Sequence, residues 1–178
     1  MSDPTAAIDF VLRQEDSALS GVITNIAGDR GGTTRFGLTA RYHPGLQVQG
    51  FYEPSMSAAT ALPLAIAAYQ KDYATPLLLE EIDSQAIGTC LLSFAVNEEG
   101  AGSRGMAVRL LQQCLPSVTV DGAIGEITVA AINLEDESLL RRYCNLQAQH
   151  YRNIVQQDSS QSKFLAGWLN RVNQNASL

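Results

Sequence analysis

The chain has few of the side chains that hold metal ions in proteins. Its 178 residues include two histidines, His43 and His150, which lie far apart, and no Cys-x-x-Cys pair occurs. The usual spacing of zinc ligands is therefore missing, and we expect no metal and no other cofactor. Three cysteines, Cys90, Cys114 and Cys144, cannot all pair within one chain, and each falls on an apolar helical stripe. We expect them to be buried free thiols.

Positive charge is also scarce, which argues against nucleic acid as a partner. The chain carries 12 Lys and Arg residues against 18 Asp and Glu residues, a formal net charge of −6. Nucleic-acid binding depends on clustered cations that neutralise phosphates, and this balance does not supply them.

Long apolar runs and a secretory signal are missing as well. No stretch of 18 apolar residues occurs, so we expect no insertion into a membrane. The first residues, Met-Ser-Asp-Pro, lack the basic and apolar regions of a signal peptide. The sequence therefore predicts synthesis in the cytoplasm without a signal peptide.

What the chain does contain is a glutamate at the end of an apolar helix. Asp3 before Pro4 predicts a helix start, and Ile8 and Val11 mark one face at helical spacing. Glu15 lies four residues beyond Val11 and so falls on the same face. We expect its carboxyl group to be partly withdrawn from water, the environment that suits a general acid. The alternative is a solvated glutamate at a frayed helix end.

A small β-hairpin is predicted directly after this helix. Residues 21–26 and 33–38 are extended by composition and flank a glycine-rich turn. Folded over the helix end, the hairpin would carry Asp29 and Thr34 toward Glu15. Asp29 would take a proton from water and Thr34 would hold that water, so two acids of unlike environment would flank one glycosidic bond. The alternative for Asp29 is a turn aspartate that caps its own backbone.

The segment from Asp29 through Thr39 matches the pattern Asp-x-Gly-Gly-x-Thr-x-x-Gly-Ile-Thr, with leucine in place of isoleucine. In this segment the chain resembles glycoside hydrolase family 108, peptidoglycan N-acetylmuramidases that include phage endolysins. The resemblance implies Glu15 as the acid, Asp29 as the water-activating base and Thr34 as the residue that positions the water. The family typically has two glycines after the acid, whereas this chain has Asp16 and Ser17.

The resemblance also implies residues that bind the substrate. Tyr73 lies where the family tends to have a tyrosine, and Asn97 ends a Ser-Phe-Ala-Val-Asn segment similar to the family's Asp-x-Ala-Val-Asn. Arg35 lies within the matched segment and would add local positive charge. Trp168 could stack on a sugar face, although a tryptophan at this spacing is more often part of the core. For Asn97 the alternative is an ordinary helix terminator.

The second half of the chain is similar to peptidoglycan-binding segments. Residues 120–128 match the Asp-Gly-x-Ile-Gly-x-x-Thr signature of cell-wall-binding helical modules, and we expect Asp121 and Thr128 to be structural. Residues 164–172 match an ending with Phe, Gly-Trp and Asn-Arg that is common in the same group. We predict a lysozyme-like catalytic region over 1–83 and a helical peptidoglycan-binding-like region over 84–178 packed on it. The fold class is mainly α, an α+β lysozyme-like bundle with one small hairpin over the active-site cleft.

The sequence therefore favours an N-acetylmuramidase that cleaves the β-1,4 bond between N-acetylmuramic acid and N-acetylglucosamine. A lytic transglycosylase that uses Glu15 alone and a non-catalytic peptidoglycan-binding protein are the alternatives. The expected partner is peptidoglycan, which is itself anionic, so recognition must rest on local contacts. To act in the periplasm or on the wall, such a protein needs a holin or secretion machinery. An immunity or inhibitor protein is a further partner, and a phage endolysin or an antibacterial effector is the expected setting.

Overall fold

The computed structural model describes residues 1–25, 32–98 and 102–178. The α-helices within these ranges are α1 (Pro4–Glu15), α2 (Pro44–Val48), α3 (Ala58–Tyr69), α4 (Gln85–Asn97), α5 (Ser103–Gln112), α6 (Glu126–Asn133), α7 (Ser138–Gln157) and α8 (Ser162–Asn175). The strands are β1 (Thr24–Asn25), β2 (Thr33–Arg35) and β3 (Leu38–Thr39), and they form one antiparallel sheet in that order. The predicted fold class, mainly helical with a small β element, is confirmed.

Local sequence signals account for the first helix. The Asp3 side chain accepts a hydrogen bond from the Thr5 backbone N–H at 2.8 Å, and Pro4 is the first helical residue, as predicted. Ile8 and Val11 are buried on the face that packs against α4. The helix ends at Glu15, where the chain turns into extended backbone.

Helix α4 is the centre of the molecule. Every residue from Ile87 through Val96 is buried, and the helix contacts α1, α5, α7 and α8. A helix that is buried on every face must be covered by other elements on all sides. Buried apolar side chains from both halves of the chain therefore join in one continuous core, while the boundary between the predicted regions 1–83 and 84–178 stays a prediction.

The sheet is small and has a tight turn that the sequence did not predict. Thr24 pairs with Thr34, and Arg35 pairs with Leu38. Phe36 and Gly37 link β2 to β3, and both have positive φ angles, 50° and 75°. Paired strands β1 and β2 confirm the predicted hairpin, although its turn lies outside the described residues.

The Asp-Gly segment of the second half wraps around the side chain of Gln112. The Gln112 amide donates to Asp121 Oδ1 at 2.9 Å and to the Ala123 carbonyl at 3.0 Å. Its carbonyl oxygen accepts from the backbone N–H groups of Asp121 and Gly122 at 3.0 and 2.8 Å. Gly122 has a φ of 77°, and a Cβ there would lie 2.8 Å from the Gly105 carbonyl oxygen. The segment thus has the structural role that we expected.

Two of the three cysteines lie in the core. Cys90 and Cys144 are buried as predicted, whereas Cys114 is half-buried, and all three are free thiols. No helix in the described ranges is long and apolar enough to cross a membrane.

Candidate active site

Glu15 lies at the carboxyl end of α1 on the wall of an open hollow of about 480 Å³, which we call the acid hollow. Its side chain is 19% exposed, and its Oε1 accepts a hydrogen bond from Arg171 Nη2 at 2.6 Å. Partial withdrawal of Glu15 from water is therefore confirmed. Thr34 lies on the wall of the same hollow, so the structure brings these two predicted residues together.

The loop after Glu15 is organised by a carboxylate. The Asp16 side chain accepts hydrogen bonds from the Gly21 backbone N–H at 2.6 Å and from the Ser20 hydroxyl at 3.0 Å. Burial acts to raise the pKa of Asp16, but the hydrogen bonds from Ser20 and Gly21 outweigh it and lower that pKa. Asp16 and Ser17 stand where the family pattern has two glycines. They begin a loop whose conformation is held by the Asp16 side chain.

Gly37 lets the turn between β2 and β3 lie directly on the acid. A Cβ at Gly37 would lie 2.5 Å from Glu15 Cγ and 2.7 Å from the Tyr69 hydroxyl oxygen. The Tyr69 hydroxyl donates to the Phe36 carbonyl at 2.9 Å and so fixes the turn from below. Gly37 is therefore required for two reasons: a side chain here would collide with Glu15, and its φ angle is positive.

Asp29, the predicted base, lies outside the described residues. The described strands on either side of its turn, β1 and β2, contribute Thr24 and Thr34 to the wall of the acid hollow. The Thr34 hydroxyl has a long contact of 3.5 Å to the Gly32 carbonyl. The roles of Asp29 and Thr34 stay predictions.

Arg35 has a structural task that the sequence did not reveal. Its side chain is buried, and it donates to the carbonyl oxygens of Gly21, Phe51 and Met56 at 2.8 to 2.9 Å. Burial lowers its pKa from the ordinary arginine value. Arg35 thus ties three loops together beneath the acid hollow, and its predicted contact with substrate stays a prediction.

Tyr73 is placed in the core. It is buried in the π-helical turn Gln70–Ala74 that follows α3, and its ring packs between the rings of Tyr69 and His43 at 5.9 and 6.2 Å. The described walls of the acid hollow do not include it. Its predicted role in substrate binding stays a prediction.

Asn97 and Trp168 come together at a second hollow of about 420 Å³ beside α8, which we call the α8 hollow. Asn97 Nδ2 donates to the Tyr151 hydroxyl at 2.7 Å. The Trp168 ring stacks on the Tyr151 ring at 5.0 Å with an angle of 19° between the planes. Both side chains are half-buried, so each combines a structural contact with a place on the wall of the hollow.

Arg171, which the sequence analysis did not assign, connects the two hollows. It lines the α8 hollow, donates to Glu15 in the acid hollow, and donates to Gln14 Oε1 at 3.2 Å. Gln14 in turn is fixed by Ser93 Oγ at 2.6 Å and by Asn175 Oδ1 at 3.1 Å. The sequence contained a signal for Arg171, since it belongs to the Asn-Arg pair of the matched ending at residues 164–172. The sequence did not reveal its contact with Glu15, because 156 positions separate the two residues.

Two family models match the chain. The family model described as glycosyl hydrolase 108 matches residues 8–98, which is just over half of the chain. The chain belongs to the glycosyl hydrolase 108 family. A second family model, described as a predicted peptidoglycan domain, matches residues 106–173. Both matches confirm the resemblance seen in the sequence.

A solved structure has the same fold. The structure of Brucella abortus SagA superimposes with a TM-score of 0.72 at 21% sequence identity, covering 98% of this chain and 91% of that chain. No curated protein matches the chain significantly. The two family matches make this protein a glycoside hydrolase that acts on peptidoglycan, and its place of action is the cell wall.

Proposed function

We propose that this hydrolase cleaves the β-1,4 bond between N-acetylmuramic acid and N-acetylglucosamine, with Glu15 as the general acid. The observation that carries the proposal is the position of Glu15, partly withdrawn from water on the wall of an open hollow that it shares with Thr34. A hollow open to solvent can admit a glycan strand. A carboxyl group with limited access to water can hold a proton and deliver it to the glycosidic oxygen.

The water that completes hydrolysis needs a base and a positioning group. We assign these roles to Asp29 and Thr34. Thr34 supports the assignment because it lines the same hollow as Glu15, and a threonine hydroxyl can both donate to and accept from a water molecule. Asp29 precedes β2 in the matched segment, and its role rests on the family pattern.

We further propose that the reaction inverts the anomeric carbon. In inverting enzymes the two carboxyl groups are roughly 6.5 to 9.5 Å apart, which leaves room for a water molecule. Glu15 ends helix α1 and Asp29 follows β1 in the sequence, so we expect a wide gap between their carboxyl groups. NMR spectra recorded during cleavage should show the α-anomer of the new reducing end first, and early appearance of the β-anomer would contradict inversion.

Analysis of the reaction products tests the proposed bond and mechanism. Purified peptidoglycan is digested with the enzyme, and the fragments are reduced with borohydride and identified by mass spectrometry. Fragments that end in reduced N-acetylmuramic acid are expected. Ends of 1,6-anhydro-N-acetylmuramic acid would indicate a lytic transglycosylase, in which the sugar's own C6 hydroxyl replaces water, and reduced N-acetylglucosamine ends would place the cut at the other bond.

The biological setting that fits this activity is wall lysis by a phage endolysin or by a secreted antibacterial effector. Either setting requires passage across the inner membrane through a holin or secretion machinery, and an effector also requires an immunity protein in its producer. Expression in a host bacterium with and without an added export signal tests the setting. Lysis that depends on export is expected, whereas export without lysis would contradict a bacteriolytic role.

A further inference from the structure

The two hollows that meet at Arg171 differ in charge. Two carboxylates, Glu15 and Asp16, line the acid hollow together with one cation, Arg35, whose guanidinium donates to three backbone carbonyl groups. Among the described residues that line the α8 hollow, Lys163 and Arg171 are the ionisable ones, and none is acidic. The Arg171 side chain is only 12% exposed, while Lys163 is exposed with its Nζ 4.9 Å from the centre of the Phe164 ring. The α8 hollow is therefore a local cationic site on a protein whose net charge is −6.

Arg171 is held in a way that leaves it able to bind another anion. Its hydrogen bonds to Glu15 and Gln14 use one N–H group of each of two nitrogens, and a guanidinium has five N–H donors. The Gln14 side chain is itself fixed by Ser93 and Asn175, so Arg171 is kept at the border of the hollow. An anion that entered the α8 hollow would meet the guanidinium that pairs with Glu15.

We propose that the α8 hollow binds a carboxylate group of the peptidoglycan strand, and that Arg171 couples this binding to the acid Glu15. The inference rests on the proposed function. The protein and its polymer are both anionic, so long-range attraction cannot recruit the substrate and a local cationic site is required. Carboxylates in the strand come from two sources: the lactyl group of N-acetylmuramic acid where no peptide is attached, and the peptide where one is.

The coupling follows from the contact that Glu15 and the α8 hollow share through Arg171. Arg171 Nη2 donates to Glu15 Oε1 at 2.6 Å, and the same side chain lines the α8 hollow. A substrate carboxylate that binds the Arg171 guanidinium competes with Glu15 for it, which loosens this ion pair and leaves the Glu15 carboxyl group free to contact the glycosidic oxygen. Among the described residues, the other ionisable side chains next to Glu15 are Asp16, Arg35 on β2 and Tyr69 on α3.

Three glycan substrates separate the sources of the carboxylate. They are peptide-free strands with free lactyl carboxylates, the same strands with those carboxylates converted to neutral methylamides, and peptide-bearing strands. For wild-type enzyme, KM should be about tenfold lower for a carboxylate strand than for the methylamide strand, which is the scale of one charge-assisted hydrogen bond. Preference for peptide-free or for peptide-bearing strands identifies the source, and either preference supports the proposal.

Variants of the two cations test the coupling. Arg171→Gln should remove the difference in KM, Lys163→Gln should reduce it two- to threefold, roughly the effect of an exposed charge, and Arg171→Lys should retain most of it. In wild type, kcat as well as KM should differ between the carboxylate strand and the methylamide strand, because the substrate carboxylate alters the contact of Arg171 with Glu15. In Arg171→Gln the difference in kcat should disappear together with the difference in KM. Arg152→Gln, on the exposed face of α7, is the matched control and should behave as wild type.

The outcomes distinguish the failure of this inference from that of the proposed function. Wild-type enzyme that cleaves none of the three strands would overturn the proposed function. Wild-type enzyme that cleaves all three with equal KM, together with an Arg171→Gln variant that weakens all three equally, would overturn the coupling and leave Arg171 with a purely structural role. Melting temperatures identify variants that do not fold, and Lys163→Gln, an exposed position, keeps the test available if Arg171→Gln is one of them.

Discussion

Two segments that match family patterns, residues 33–39 and residues 121–128, have opposite structural characters. In the second, the backbone N–H groups of Asp121 and Gly122 donate to the side chain of Gln112, which is 1% exposed. In the first, Thr34 lines an open hollow, and the turn at Phe36 and Gly37 has positive φ angles while it lies against Glu15. The comparison shows that one matched segment uses its polar groups to hold the fold together, whereas the other lies along an open hollow.

Among substitutions in the matched segment, residues 29–39, that of the predicted base should have the largest effect. Asp29→Asn keeps the size of the side chain but removes the group that takes a proton from water, so turnover should fall by about a hundredfold or more. Binding to cell walls should be nearly unchanged, as measured by co-sedimentation. Thr34→Val should cost less, about tenfold. An Asp29→Asn enzyme that stays active and releases anhydro ends would show that Glu15 works alone.

A methyl group at Gly37 should damage activity more than stability. Gly37→Ala would place a Cβ 2.5 Å from Glu15 Cγ and force a residue with a side chain to keep a φ of 75°. We expect activity to fall at least about tenfold, with a loss of about 1 to 3 kcal/mol in the free energy of unfolding. Gly45→Ala is the matched control, because a Cβ there has no neighbour within 4 Å. Equal activity of the two variants would mean that the turn does not position the acid.

The Asp-Gly segment should show the reverse pattern. Gln112→Ala leaves the N–H groups of Asp121 and Gly122 without their partner, so the free energy of unfolding should fall by about 2 to 4 kcal/mol in urea titrations. Activity per folded molecule should remain near that of wild type. Gln113→Ala changes the exposed neighbour and should have almost no effect. Loss of activity by folded Gln112→Ala would indicate that this segment contacts the glycan.

The smallest expected effect is a change in acid sensitivity. Hydrogen bonds from the Ala123 backbone N–H and from Gln112 lower the pKa of Asp121 below its ordinary value. A lowered folded-state pKa stabilises the protein above the pKa of the unfolded chain, about 3.9, and that stabilisation disappears as pH falls through the folded-state pKa. Asp121→Asn should therefore reduce the fall in the free energy of unfolding that accompanies a change from neutral to acidic pH. If the variant showed the same pH dependence of stability as wild type, the Asp121 carboxylate would not contribute to acid sensitivity.

Features set by neighbours in the chain were predicted from the sequence, and features set by distant contacts were not. The cap at Asp3 and the apolar spacing placed Glu15 correctly on the buried side of α1, because both signals act within four residues. Arg171 was missed because it reaches Glu15 from a helix 156 positions away. For Arg35, the sequence could not show that three backbone carbonyls from other loops surround its guanidinium.

Long helices leave a clearer signal in a sequence than short ones. Helix α7 has 20 residues, enough for several turns of helical spacing, whereas the five-residue helix α2 is too short to show a periodic pattern. The π-helical turn Gln70–Ala74 is equally short, and it buries Tyr73 in the core. Burial of this kind depends on which elements pack together, and a single sequence does not contain that information.

The most direct test of the account is the effect of Glu15→Gln on lysis of purified peptidoglycan. Glutamine keeps the shape of the side chain and an oxygen that can accept from Arg171, but it has no proton to transfer. The clearing rate should fall by at least about a hundredfold while the melting temperature stays close to that of wild type. Glu53→Gln, at an exposed position away from the hollow, should clear normally. A folded Glu15→Gln enzyme that clears peptidoglycan at near wild-type rate would contradict the assignment of Glu15 as the acid.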